Sequence, residues 1–212
     1  MSDKRHGILF DLDGVIIDSE GLYTAFWEKT EKEFPTGISD FAKAIKGTNL
    51  EKILEHFPSD QTRNTILERI YEFDRNLSYP LFPGAMELLE GLRQANVPTA
   101  LYTSSNPEKM NRLFTVHPQL RDMFDAIING AMVTRSKPDP EGYIMAAEAI
   151  GCIPQDCVVV EDSLQGIRAG KAAGATVAAI AGTVPLTTLE QEGVRVFGHI
   201  SQLTPQTLIN LS

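Results

Sequence analysis

The sequence predicts an α/β protein: a parallel sheet with helices on both faces, and a small helical unit inserted after the first strand. Three observations carry this reading. From Pro83 onward, short apolar runs alternate with helix-length segments, the pattern of a parallel sheet rather than of hairpins. Residues 19–79 hold helical periodicity and no convincing strand. The 212 residues suffice for one good core plus a small second domain. The expected division is a sheet-bearing core over 1–17 and 82–212, and a helical insertion over 18–81.

Each element has a local reason. Ile8-Leu9-Phe10 reads as a buried strand. Leu22, Phe26, Thr30 and Phe34 recur every four residues, with Tyr23 and Trp27 beside them, which predicts a helix with an aromatic-rich face. Leu50, Ile53, Leu54 and Phe57 mark a short second helix. A third carries Ile66, Leu67, Ile70, Tyr71, Phe73 and Leu77, opened by a cap at Ser59 or Asp60. In the core, a helix over 84–95 precedes a strand at 99–102. Asn106-Pro107 starts the next helix, with proline in the first turn. A strand follows near 126–128, then a helix opened by Asp139-Pro140 and stopped at Gly151. The strand 157–160, the helix 164–173 and the strand 176–180 complete the series. Gly166, Gly170 and Gly174 lie in charged surroundings, which predicts close helix-to-sheet packing rather than membrane dimerisation.

Bulk composition narrows the partners. Hydrophobic content of 42% and charged content of 22% are ordinary for a soluble globular protein. Lys plus Arg is 19 and Asp plus Glu is 28, giving a formal net charge of −9 and no basic stripe. Nucleic acid and anionic membranes are therefore not expected partners. No apolar stretch is long enough to span a bilayer. The segment from Met1 to His6 lacks a signal-peptide apolar region. Cys152 and Cys157 are too few for a disulfide framework, and four intervening residues make a poor zinc pattern. A cytoplasmic, free-thiol protein is expected.

The chemistry concentrates after four strands. Asp11 and Asp13 flank one residue at the end of the first, followed by Gly14. Side chains alternate along a strand, so both carboxylates tend to the same side. Such a pair invites a hard divalent cation. The first acid could attack phosphorus and the second handle protons. The bland alternative is an acidic Asp-Gly turn. After the second strand, Thr103-Ser104-Ser105-Asn106 offers hydroxyls and N–H groups at a helix start. That suits an anion, although the same residues serve as plain caps. Ser136-Lys137-Pro138-Asp139-Pro140 sets a lysine at a helix approach fixed by prolines; alone it would be a surface charge. Glu161 and Asp162 follow a buried apolar run, where two acids are costly unless paired or metal-bound. Jointly these parts suit in-line phosphoryl transfer. A divalent ion would be held by Asp11, Asp162 and the Asp13 backbone, Lys137 would keep the nucleophile ionised, and Thr103 would donate to a phosphoryl oxygen.

FDLDGVIIDSE, YTSSN, SKPDP and VVVEDSLQGIRAG occur in this order. With them the chain resembles the haloacid dehalogenase superfamily, in the branch with a helical cap and a Rossmann-like core. The resemblance implies that Asp11 is the nucleophile forming an aspartyl-phosphate, and that Asp13 protonates the leaving oxygen and then activates water. It implies Thr103 as the phosphate-binding hydroxyl and Lys137 as the charge-balancing lysine. Mg2+ would be the metal, at Asp11, Asp13, Glu161 and Asp162. Gly14, Ser104, Ser105 and Lys46 are further positions expected against the substrate or its phosphate.

Asp13 argues for phosphate esters or anhydrides over carbon–halogen bonds, because a halide leaves without a proton. The segment Ile45-Lys46-Gly47-Thr48 is similar to a substrate-reading loop in members of the beta-phosphoglucomutase type. Two departures from that type matter: Tyr23 stands in place of a histidine, and Asn49-Leu50 in place of an arginine. Leucine cannot clamp a second phosphate. Glu20, after Asp18-Ser19, is wording shared with phosphatases of the family. The expected function is a magnesium-dependent phosphatase of a small phosphorylated metabolite, a sugar phosphate, acting as a monomer. Hinges are expected near 18–19 and 80–84, with the cap excluding water. The alternatives are a phosphosugar mutase, an inorganic pyrophosphatase, and a non-catalytic phosphate-sensing module. His56, His117 and His199 sit away from every motif and are expected to be structural or surface residues.

Overall fold

A computed structural model of the chain describes residues 6–211. Six strands, β1 (Gly7–Phe10), β2 (Thr99–Tyr102), β3 (Ala126–Ile128), β4 (Cys157–Glu161), β5 (Thr176–Ile180) and β6 (Arg195–Phe197), form one sheet. Their order is β3-β2-β1-β4-β5-β6, and every pairing is parallel. Phe10 lies opposite Leu101 on one side and Val160 on the other. β1, β2 and β4 are apolar almost throughout because both faces of the sheet are covered. The order reverses beside β1, between it and β4. In open sheets of this kind the crevice beyond the strand ends at that reversal receives the ligand.

Between β1 and β2 the chain forms α1 (Glu20–Glu33), α2 (Phe41–Ala44), α3 (Leu50–Glu55) and α4 (Asp60–Asn76). These helices bury a cluster of their own that includes Trp27, Phe41, Phe57, Ile66 and Ile70. The aromatic-rich face read for α1 is the buried one, with Tyr23, Phe26 and Phe34 packed against this cluster, and the four-residue row fails only at its start. Steps of four residues rotate about 40° each around a helix, so the row drifts and Leu22 lies off the face. Leu22 is 46% exposed, while Trp27 and Thr30 are buried. α2 was not anticipated; Phe41 docks edge-on against Trp27 and Phe57. Ser59, one of the two expected caps, accepts the Thr62 N–H at the start of α4.

The chain leaves the sheet and returns to it at one place. Ile17 and Leu81 form an antiparallel bridge. Asp18 N–H donates to the Pro80 carbonyl at 2.7 Å, and Phe82 N–H to the Ile16 carbonyl at 3.0 Å.

One face of the sheet carries Ile8, Phe10, Leu101, Val158 and Val160. Against it pack α5 (Ala85–Gln94), α6 (Pro107–Val116), α7 (Pro118–Arg121) and, near the C-terminus, Leu208. The other face carries Leu9, Ala100, Tyr102, Val159 and Val177 beneath α8 (Glu141–Ala149) and α9 (Leu164–Ala173). The alternation along each strand is the period of two that a pleated sheet imposes. Gly170 fits the predicted packing, since a Cβ there would lie 3.0–3.2 Å from Val177 and Val159. The chain ends in α10 (Leu186–Gln191), β6 and α11 (Pro205–Ile209), none of which was expected. These pieces are too short to establish a period, and β6 lies at the sheet edge. No helix among the described residues is long and apolar enough to cross a membrane.

Candidate active site

At the end of β1 the Asp11 N–H still pairs with the Val160 carbonyl, at 3.0 Å. The chain then folds into a tight turn in which Ile16 and Ile17 N–H groups donate to the Leu12 carbonyl. Gly14 sits in that turn with φ of +79°, and a Cβ there would fall 1.9 Å from Asp162 Oδ2. Glycine is therefore required both by conformation and by the close approach of the β4 loop. The turn sets Asp11 and Asp13 on the same cavity, as their spacing predicts.

Lys137 arrives from the loop after β3. Its Nζ donates to Asp11 Oδ1 at 2.5 Å and to Glu161 Oε1 at 2.6 Å. The Tyr102 and Tyr143 rings enclose the ammonium, with centroids at 4.8 and 5.2 Å. Burial alone would push Lys137 down, but Asp11 and Glu161 outweigh it and hold the ammonium well above its usual range. Burial pushes the Asp11 carboxyl up to about 8, opposed by Lys137 and reinforced by Glu161. A divalent cation would reverse that direction, because a carboxylate ligand must be deprotonated.

Glu161 is the last residue of β4 and is fully buried. Beside Lys137, Tyr143 donates to its Oε1. Oε2 accepts from the N–H groups of Asp162 and Ser163 and from the Ser163 hydroxyl. A Cβ on Gly166 would lie 1.5 Å from Oε1, so the first turn of α9 is moulded around this carboxylate. Thr183 donates to Asp162 Oδ2. Asp11, Glu161 and Asp162 each present a carboxylate oxygen, all within 4.8 Å of one another. An all-oxygen, acid-rich donor set of this kind fits a hard divalent cation.

Asp13 has a different environment. Ser19 donates to its Oδ1 at 2.5 Å and Ser105 to its Oδ2 at 3.1 Å. Lys109 Nζ reaches both oxygens, at 2.7 and 2.8 Å. Burial would raise this carboxyl, yet Lys109 and the two hydroxyls hold it below its ordinary range. Thr103 is buried at the end of β2, its hydroxyl accepting from the Ser105 N–H at 3.0 Å. Ser104 faces the insertion and donates to the Gly47 carbonyl at 2.9 Å. Thr103, Ser104, Ser105 and Lys46 all line the cavity.

The cavity encloses about 150 Å³. The helical insertion supplies an apolar wall of Trp27, Ile45, Leu50, Ile53 and Ile70. Leu50, where an arginine was absent from the sequence, lies in that wall, and Asn49 caps α3 by accepting the Lys52 N–H. Tyr23 contributes its ring to Lys109, and its hydroxyl donates to Asp74 Oδ1 at 2.5 Å. His117 contacts the Tyr79 carbonyl, and His56 packs edge-on against Phe41. Neither lines the cavity, nor does His199.

Lys109, Asp74 and Ser19 escaped the sequence reading. Lys109 carried a usable signal. It is the third residue after the Asn106 cap of α6, and helical side chains lean toward the helix N-terminus. A lysine there leans toward the strand ends. Asp74, late in a charged helix, carried no such signal.

Comparison with known proteins agrees with this geometry. Residues 6–174 match the haloacid dehalogenase-like hydrolase family. Over 181 residues the chain is 32% identical to hexitol phosphatase A of Escherichia coli (strain K12), covering 82% of each chain. It is 30% identical over 176 residues to a phosphorylated carbohydrates phosphatase of Thermotoga maritima, covering 79% of this chain and 81% of that one. In three dimensions it aligns with a HAD hydrolase of family IA, variant 3, from Entamoeba histolytica, with a TM-score of 0.82 and 25% identity over 97% of this chain and 98% of that one. A strand-end acid pair, a buried lysine between two acids and a family match over most of the chain lead to one assignment: this protein belongs to the haloacid dehalogenase-like hydrolases.

Proposed function

We propose that the protein is a magnesium-dependent phosphatase that hydrolyses a small phosphorylated metabolite, a sugar or polyol phosphate, through an aspartyl-phosphate on Asp11. The observation that carries this is the pair Asp11 and Asp13 facing one small cavity, the first held by Lys137 and the second by Lys109. In the first half-reaction an Asp11 oxygen attacks phosphorus. The bond from phosphorus to the leaving oxygen breaks, and that oxygen takes a proton from Asp13, which must enter this step protonated against the pull that Lys109 exerts in the free enzyme. In the second half, Asp13 takes a proton from water, whose oxygen attacks the aspartyl-phosphate and frees inorganic phosphate and the Asp11 carboxylate.

Asp11, Glu161, Asp162 and the Asp13 backbone are the groups that would hold the cation. When bound, it offsets the charge of the phosphoryl oxygens. Lys137 keeps Asp11 from facing Glu161 unbalanced. Thr103, with the N–H groups at the start of α6, suits the phosphoryl oxygens. Residues 18–81 act as a cap that excludes water from the phospho-enzyme until the leaving group departs. The cations lining the cavity are Lys46 and Lys109. Without an arginine in Leu50's place, the cap wall favours a leaving group without a second phosphate.

The test is phosphate release, with Mg2+ and with chelator, across hexose, pentose and hexitol phosphates, nucleotides and pyrophosphate. Release confined to a few sugar or polyol phosphates and abolished by chelator is the expected result. Conversion of beta-glucose 1-phosphate to glucose 6-phosphate without release would make the protein a mutase. Release from pyrophosphate alone would make it a pyrophosphatase, and no turnover would favour a phosphate sensor.

A further inference from the structure

Lys109 holds both oxygens of Asp13. Those oxygens are where a leaving-group oxygen must come to exchange a proton. The ammonium therefore stands beside the path of the first carbons of the leaving group. Its side chain is 8% exposed and lies 4.1 Å from the centroid of the Tyr23 ring. The hydroxyl of that ring meets Asp74, which is 5% exposed and lines the same cavity. The neighbouring wall is apolar, formed by Trp27, Ile53 and Ile70.

Next to this apolar wall the pocket thus offers one buried donor and one buried acceptor, in addition to the hydroxyls of Thr103, Ser104 and Ser105. Each already has a partner, Lys109 in Asp13 and Asp74 in the Tyr23 hydroxyl, and a leaving group that enters beside them must itself offer compatible polar groups, since an orphaned buried polar group is costly. A hydroxyl can accept from an ammonium and donate to a carboxylate. A second phosphate would suit Lys109 but meet the charge of Asp74. An aromatic leaving group would satisfy neither.

We propose that Lys109 and Asp74 determine specificity by reading hydroxyls of the leaving group. Lys109 donates to the hydroxyl nearest the scissile oxygen, and Asp74 accepts from one farther along. The substrate is then the phosphate monoester of a short, neutral, polyhydroxylated chain. This rests on the phosphatase reading given above.

The test compares kcat/KM for a hexitol 6-phosphate and for phenyl phosphate, in the native enzyme and in Lys109→Met, Lys109→Arg and Asp74→Asn. The ratio of hexitol to phenyl phosphate should fall at least tenfold in Lys109→Met and recover in part in Lys109→Arg. It should fall severalfold in Asp74→Asn, mostly through KM. An equal fall on both compounds would mean that Lys109 only positions Asp13, which overturns the proposal. An unchanged ratio in Asp74→Asn would do the same for Asp74. If Lys109→Met does not fold, Lys109→Arg and Asp74→Asn still decide. A native enzyme that prefers phenyl phosphate defeats this proposal alone; one that releases phosphate from no compound of the wider panel given above defeats the phosphatase reading as well.

Discussion

One methyl group at position 14 is enough to probe how closely this site is built. Gly14→Ala would force a positive φ on alanine and drive its Cβ into Asp162. Displacing that acid should cut kcat/KM at least tenfold and cost about 1–3 kcal/mol of stability, read by urea unfolding. Lys137→Met makes a sharper demand. It leaves Asp11 and Glu161 buried and facing each other without a cation. Breaking a buried pair this way costs about 3–5 kcal/mol, and phosphate release should fall below detection even where the variant remains folded. Mg2+ should partly restore the stability of this variant, since the ion would replace the missing charge. The residues behind these predictions were legible because their roles demand particular types at particular places: acids at strand ends, a lysine just ahead of two prolines. Lys109 and Asp74 were not, because lysine and aspartate on helices usually face water. Only the folded chain brings 13, 23, 74 and 109 to one point.

At the scale of the element, period and length decided what could be foreseen. The strands of the central sheet were legible because burial on both faces leaves near-continuous apolar runs. α2 and β6 were not, since four and three residues cannot display a period. The stripe on α1 shows how a correctly read face drifts at one end, at Leu22, when a spacing of four stands in for 3.6. α4 carries a pH prediction. Burial raises Asp74 above its ordinary value, against the pull of Lys109 and the Tyr23 hydroxyl. A carboxyl raised in the fold favours folding while it is protonated, and that contribution is lost as pH rises through the folded value. Asp74→Asn keeps an acceptor for Tyr23 and removes the titration. Its melting temperature should exceed that of the native protein at pH 7, and the gap should close below about pH 4. An equal gap at both pH values would show that the charge is not the cause. Stability gained at the expense of substrate recognition is the trade expected of a binding residue.

For the whole molecule, the proposed division into sheet and insertion rests on an abrupt change of pattern near residue 82, and the bridge between Ile17 and Leu81 lies beside that position. Strand order was not legible, because any of several windings satisfies the same alternation. The contact between core and insertion was likewise hidden, since Ser104 meeting Gly47 joins distant parts of the chain. The acidic trio gives a global readout that needs no substrate. An ion that binds only the folded state raises the melting temperature by mass action. Millimolar Mg2+ should therefore stabilise the native protein and fail to stabilise Asp162→Asn.

The bridge between Ile17 and Leu81 has a wider meaning. The outgoing and returning chains touch there, so the covalent connection of the insertion to the sheet is a pair of adjacent ends, whatever lies beyond. Insertions of other lengths or shapes could be joined at that seam without moving a strand. Descent with modification could then rewrite which molecule is chosen while the reaction itself is inherited unchanged.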